Sequence, residues 1–113
     1  MVIELVQWDT SPNLELTCKD DTGEIIDLTD TTEVFFIFRK MGASEMLFKR
    51  TVVVQDPPTD GKVALTWEED DLAVVGHYIG ELEINFDDGT KQSSGRLYFK
   101  VRAQLDNIPP EGD

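Results

Sequence analysis

Hydrophobic and polar residues alternate with a period of two along most of the chain. In "NLELTCK", Leu14, Leu16 and Cys18 fall on one side, with Asn13, Glu15, Thr17 and Lys19 on the other. "GKVALTW" does the same with Val63, Leu65 and Trp67, and "RLYFKVRA" with Leu97, Phe99, Val101 and Ala103. The longest case is "HYIGELEINF", where Tyr78, Gly80, Leu82, Ile84 and Phe86 face one way and His77, Ile79, Glu81, Glu83 and Asn85 the other. Successive strand side chains point to opposite faces of a sheet, so the alternation predicts antiparallel strands with one dry and one wet face.

Turn residues interrupt the strands at short intervals: "DDTG" at 20–23, "MGAS" at 41–44, "DPPTDG" at 56–61 and "DDG" at 87–89. Helical spacing is nearly absent. Its best stretch, "EEDDLAVV" at 68–75, predicts a single helical turn ending at Gly76. About seven to eight short strands at this spacing predict an all-β fold, an immunoglobulin-like antiparallel β-sandwich. The sandwich is expected to fill residues 1–105 as one domain, followed by an irregular tail, "DNIPPEGD" at 106–113, whose prolines end the last strand.

Composition narrows the function. No apolar run approaches the ~20 residues of a membrane span, and "MVIELVQWDTS" lacks the basic and apolar regions of a secretory signal. Twenty-three acidic against ten basic residues give a net charge of −13, which repels phosphate backbones and anionic lipid. Neither nucleic acid nor membrane is therefore expected as a partner. The pairs Arg39-Lys40 and Lys49-Arg50 do not make a basic stripe. The lone Cys18 cannot form an intramolecular disulfide and fits a reducing compartment.

Each candidate for chemistry has a plain structural alternative. His77 shares the wet face with Glu81 and Glu83, which reads as a solvated cluster or a cation site; with no second His or Cys nearby, solvation is the better reading. Cys18 and His77 fall on opposite faces, so no nucleophile–base pair is visible, and neither catalytic residues, a metal site nor a cofactor is expected. The clusters "DDTGE", "EEDD" and "FDDG" offer oxygen ligands for calcium, yet none has the EF-hand pattern and Asp-Gly is an ordinary tight-turn signature. Calcium held between loops stays open.

Tyr78 in "GHYIG" fits the tyrosine corner of immunoglobulin-like sandwiches, in which the hydroxyl bonds back to the preceding turn; Trp67 and Gly76 belong to the same structural corner. Where antibody domains place a disulfide cysteine two residues on, this chain has Gly80. "VFFIF" at 34–38 departs from simple alternation: with Val34, Phe36 and Phe38 in the core, Phe35 and Ile37 point outward. Such a strand is either covered by a loop or long side chains, or it is a subunit interface.

Two segments together, "DDTGEIIDLTDTTEVFFIFRK" and "DGKVALTWEEDDLAVVGHYIGELEINFDDGT", resemble a pattern of tailed-phage structural proteins. The likeness is to the immunoglobulin-like domain at the N-terminus of phage upper baseplate proteins and covers roughly residues 13 to 103. It rests on Gly23, the "DLT" of Asp27 to Thr29, Gly61, Val63, Trp67, Gly76, Tyr78, Glu81, Phe86, Asp88 and Gly89. The resemblance implies no catalytic residues. It implies a non-enzymatic virion protein, made in the bacterial host cytoplasm, whose partners are other virion proteins or further copies of itself within the particle. Upper baseplate proteins continue beyond this domain whereas this sequence stops at Asp113, so a stand-alone neck, head–tail junction, tail, baseplate or capsid-surface component is expected. Trp8, Phe35 and Ile37 are the candidate contact residues. The alternative is a carbohydrate-binding or adhesion module, with Trp8 or a loop aromatic stacking on sugar.

Overall fold

A computed structural model describes residues 2–105; the irregular tail expected at 106–113 lies outside the described residues. The strands are β1 (Val2–Val6), β2 (Leu14–Thr17), β3 (Thr31–Lys40), β4 (Phe48–Thr51), β5 (Val53–Val54), β6 (Lys62–Leu65), β7 (Gly76–Phe86), β8 (Lys91–Ser93) and β9 (Leu97–Arg102). They form two sheets, one in the order β1-β9-β7-β3-β4 with β8 also on β7, the other in the order β2-β6-β5. The architecture is an immunoglobulin-like β-sandwich. Two short strands, β5 and β8, bring the number among the described residues to nine.

The alternating residues meet between the sheets. Val34, Phe36 and Phe38 of β3, Leu82 and Ile84 of β7, and Phe99 and Val101 of β9 pack with Leu14, Leu16, Val63 and Leu65 of the smaller sheet, all buried. Burying a side chain of this size stabilises the fold by about 1.5–3 kcal/mol. The aromatic residues form one cluster around Phe38, which stacks on Tyr78 at 4.7 Å and 3° and meets Phe99 and Trp67 edge-on at 5.4 and 5.8 Å. Opposite Phe38 in the β3–β7 ladder stands Gly80. A Cβ there would lie 2.6 Å from Phe36 Cε1 and 2.7 Å from Phe99 Cε1, so glycine makes the room the rings occupy.

The chain departs from the expected pattern in two places. β1 runs parallel to β9, from Val2 opposite Tyr98 to Val6 opposite Arg102, while every other pair of these strands is antiparallel. Side chains alternate in parallel and antiparallel strands alike, so a pattern that favours antiparallel sheets as a class does not fix the direction of a single edge strand. The predicted helical turn over 68–75 is absent. That segment is a pair of turns, with Asp71 N–H donating to Glu68 O (3.1 Å) and Ala73 N–H to Asp70 O (3.3 Å), and Asp70 held at a φ of 72°. A 3-10 turn lies instead at Pro58–Asp60, closed by Gly61 at a φ of 68°.

Candidate functional site

The segment joining β6 to β7 is fixed at three points. Tyr78 donates its hydroxyl to Val74 O at 2.6 Å, which is tyrosine-corner geometry. The Gln7 amide donates to Ala73 O at 2.7 Å, and Trp8 N–H to Leu72 O at 3.1 Å. Arg50, on β4, grips Asp71 with Nη1 donating to Oδ2 (2.6 Å) and Nη2 to Oδ1 (3.0 Å), while Asp71 Oδ2 also accepts from Glu68 N–H at 2.6 Å. Trp67 is buried in the aromatic cluster beneath this segment. Gly76 opens β7 at a φ of 151°, where a Cβ would stand 2.8 Å from Lys40 Cε.

Sequence reasoning missed the Arg50–Asp71 pair. "EEDD" reads as a solvated acidic run, yet Asp71 is 9% exposed. Its partner lies 21 residues back, inside what looks like an ordinary surface Lys-Arg pair, and no local pattern links the two.

Around this pinned segment, one end of the larger sheet is rich in exposed apolar side chains. The C-terminal ends of β1 and β3 and the N-terminal ends of β4 and β7 converge there, as the pairings of Lys40 with Tyr78 and of Val6 with Arg102 require. Trp8, Met41, Leu47, Val74 and Val75 at this end are each between 43% and 54% exposed. Trp8 itself sits at a φ of 72°.

Phe35 and Ile37 do project from the outer face of the larger sheet, but both are only half-exposed. Lys49 lies over the Phe35 ring, 4.9 Å from its centroid, and bonds Glu83 at 2.7 Å. Ile37 forms the floor of a shallow depression of about 220 Å³ with Ile79, rimmed by Arg39, Met46, Glu81 and Arg96. Long side chains therefore cover part of the strand. β3 is also central, flanked by β4 and β7.

The candidates for chemistry are dispersed. His77 is exposed and pairs in register with Lys100, whereas Glu83 is held by Lys49 and Lys91 and Glu81 by Arg96. Cys18 is fully buried, and burial pushes its thiol up to about 11. No group of three metal-ligating side chains occurs among the described residues. Three acidic loops share one turn: Asp20, Asp27 and Asp88 each accept, at Oδ1, the backbone N–H and the hydroxyl of a threonine two residues on. Those bonds hold the three carboxyls below the usual aspartate range.

A family model described as the BppU N-terminal domain, the N-terminal domain of a phage baseplate upper protein, matches residues 3–111. No curated protein matches the chain. Among solved structures, CopC from Methylosinus trichosporium OB3b superposes with a TM-score of 0.59 at 12% identity, covering 96% of this chain and 89% of its own. Murine CRIg matches with a TM-score of 0.41 at 15% identity over 91% of this chain and 92% of its own. At such identities the likeness to CopC is one of fold.

Proposed function

The chain belongs to the BppU N-terminal domain family, a structural domain of the phage baseplate, and from that premise we propose that it works without catalysis, by contact with neighbouring virion proteins. The contact surface is the apolar end of the larger sheet, with Trp8 on its β1 side. The observation that carries this reading is the combination of five exposed apolar side chains with a backbone already pinned by Arg50, Tyr78 and Gln7. Apolar area held in a fixed shape binds with little further loss of conformational freedom. Phe35 and Ile37 belong to a second, partly covered contact face. The setting of Trp8 supports protein contact over sugar stacking, because apolar side chains share its end of the sheet.

The test is incorporation into baseplate particles assembled with the other baseplate proteins. Aspartate tolerates the left-handed backbone that Trp8 adopts, so Trp8→Asp should melt within a few degrees of the parent while incorporation falls sharply. Normal incorporation of a folded double variant, Trp8→Asp with Val75→Ser, would remove this surface from the reading.

A further inference from the structure

Charge is distributed unevenly over this acidic chain. Registers place Arg39, Lys49, Lys91, Arg96, Lys100 and Arg102 on the outer face of the larger sheet. The acidic residues on that face are Glu4, Glu33, Glu81 and Glu83, and Asp21 joins them beside Arg96 and Tyr98. Six basic against five acidic residues on one face leave four basic and eighteen acidic for the rest of the sequence. Two of the six, Arg39 and Lys100, make no ion pair among the described residues. Arg39 and Arg96 flank the apolar depression floored by Ile37 and Ile79, and Tyr98 lies beside Ile79 in the same row of the sheet. The face thus joins unneutralised cations to apolar area, the combination that accepts an acidic surface carrying some apolar character.

The same chain presents such a surface at the end of the sheet opposite Trp8. Asp27, Asp30, Asp87 and Asp88 are all exposed around a recess that also contains Phe86. The Asp27 and Asp88 carboxylates use Oδ1 in their turns, and Oδ2 of each makes no hydrogen bond among the described residues. Two cationic faces repel each other, so a symmetric face-to-face pairing is disfavoured. A head-to-tail contact sets opposite charges together and extends to rings or rows of copies.

We propose that the outer face of the larger sheet, around Arg39, Arg96 and Lys100, docks the acidic end of a second copy of this chain. The proposal rests on the reading of the chain as an assembly domain and names one of its partners. A net charge of −13 keeps dilute copies apart at low salt, but screening beyond about 8 Å at physiological ionic strength leaves charges in contact still interacting. Association then strengthens from low to physiological salt and weakens again at high salt. Each contact is weak by itself and adds up where a particle holds copies side by side.

Sedimentation equilibrium of the purified chain, at concentrations up to the order of 1 mM, is the first measurement, and concentration-dependent mass is the expected result. A face variant (Arg39→Glu, Lys100→Glu) and an end variant (Asp30→Lys, Asp87→Lys) should each associate at least about tenfold more weakly. An equimolar mixture of the two should regain association, because the reversed face of one now matches the reversed end of the other. A non-specific or folding effect would not produce that rescue. A wild-type chain monomeric throughout, or a mixture no better than its components, overturns the proposal. Particle incorporation that still depends on Trp8 would in that event leave the wider assembly reading standing.

Discussion

The Arg50 guanidinium and the Asp71 carboxylate form a two-bonded ion pair, 2.6 and 3.0 Å, at the margin of the core, with Asp71 9% exposed and Arg50 lying over the Phe48 ring at 4.1 Å. Removing one partner of a buried pair strands the other charge and costs roughly 3–5 kcal/mol. The Arg50 side chain keeps a fifth of its surface in water, so Arg50→Ala is expected to cost about 2–3 kcal/mol. Arg50→Lys should recover only part of this, because an ammonium cannot match the fork. Urea unfolding checks both, as a fall in midpoint at unchanged slope. A loss below about 1 kcal/mol would rank the pair with ordinary surface bridges.

Gly80 sits where the Phe36 and Phe99 rings converge, and any side chain there enters both. Gly80→Ala should therefore destabilise by about 2 kcal/mol or more through overpacking, although alanine is normally harmless at extended backbone. Adding Phe36→Leu should return part of the loss despite removing apolar area. Simple additivity of the two costs in denaturant unfolding would show that the clash is not the cause.

The strands themselves were legible because each buries one face, and a period of two survives whatever the partner strand. What was illegible depends on partners distant in sequence. The direction of β1 is set by its neighbour β9, some 96 residues away in the Val2–Tyr98 pairing, and leaves no trace in alternation. The burial of Asp71 is set by Arg50, and the partial cover of Phe35 by Lys49, two cations read from sequence as a plain surface pair. Tyr78 was readable because its hydroxyl partner, Val74, is only four residues away. For the same reason the Asp-x-Thr turns at 20, 27 and 88 are local chemistry.

Tyr78→Phe keeps the stack on Phe38 and removes only the hydroxyl that reaches Val74 O. A single hydrogen bond of this kind is worth about 1 kcal/mol net. Equilibrium unfolding should show that loss, and amide exchange should rise in residues 68–75 more than in β7. Uniformly faster exchange would mean that the hydroxyl supports the whole fold rather than the corner.

Glu83 accepts from Lys49 at 2.7 Å, and that bond, with Lys91 adding to it, holds its carboxyl below the usual value of 4.5. A carboxyl depressed in the folded state stabilises the fold above its unfolded value, and the benefit is lost as pH falls from about 4.5 through the depressed value. Lys49→Met should flatten the stability–pH curve in that acid range and leave its slope above pH 6 unchanged. Parallel curves for parent and variant between pH 5 and pH 3 would refute the linkage.

Cys18 has the opposite sign. Its thiol is raised by burial from 9.0 to about 11, so the unfolded chain ionises first as pH rises. The stability it contributes is complete below pH 9 and is lost progressively between pH 9 and about 11, a decline of roughly 2–3 kcal/mol from that shift. Cys18→Ala leaves a small cavity and starts from a lower stability, but its decline over the same range should be shallower by that amount. The same burial predicts reactivity. Iodoacetamide at pH 8 should modify the native chain at least about 100-fold more slowly than the urea-unfolded chain, since thiolate and access are both withheld. Comparable rates would show that β2 opens readily enough to expose its end of the core, and the interior position of Cys18 would then give no protection.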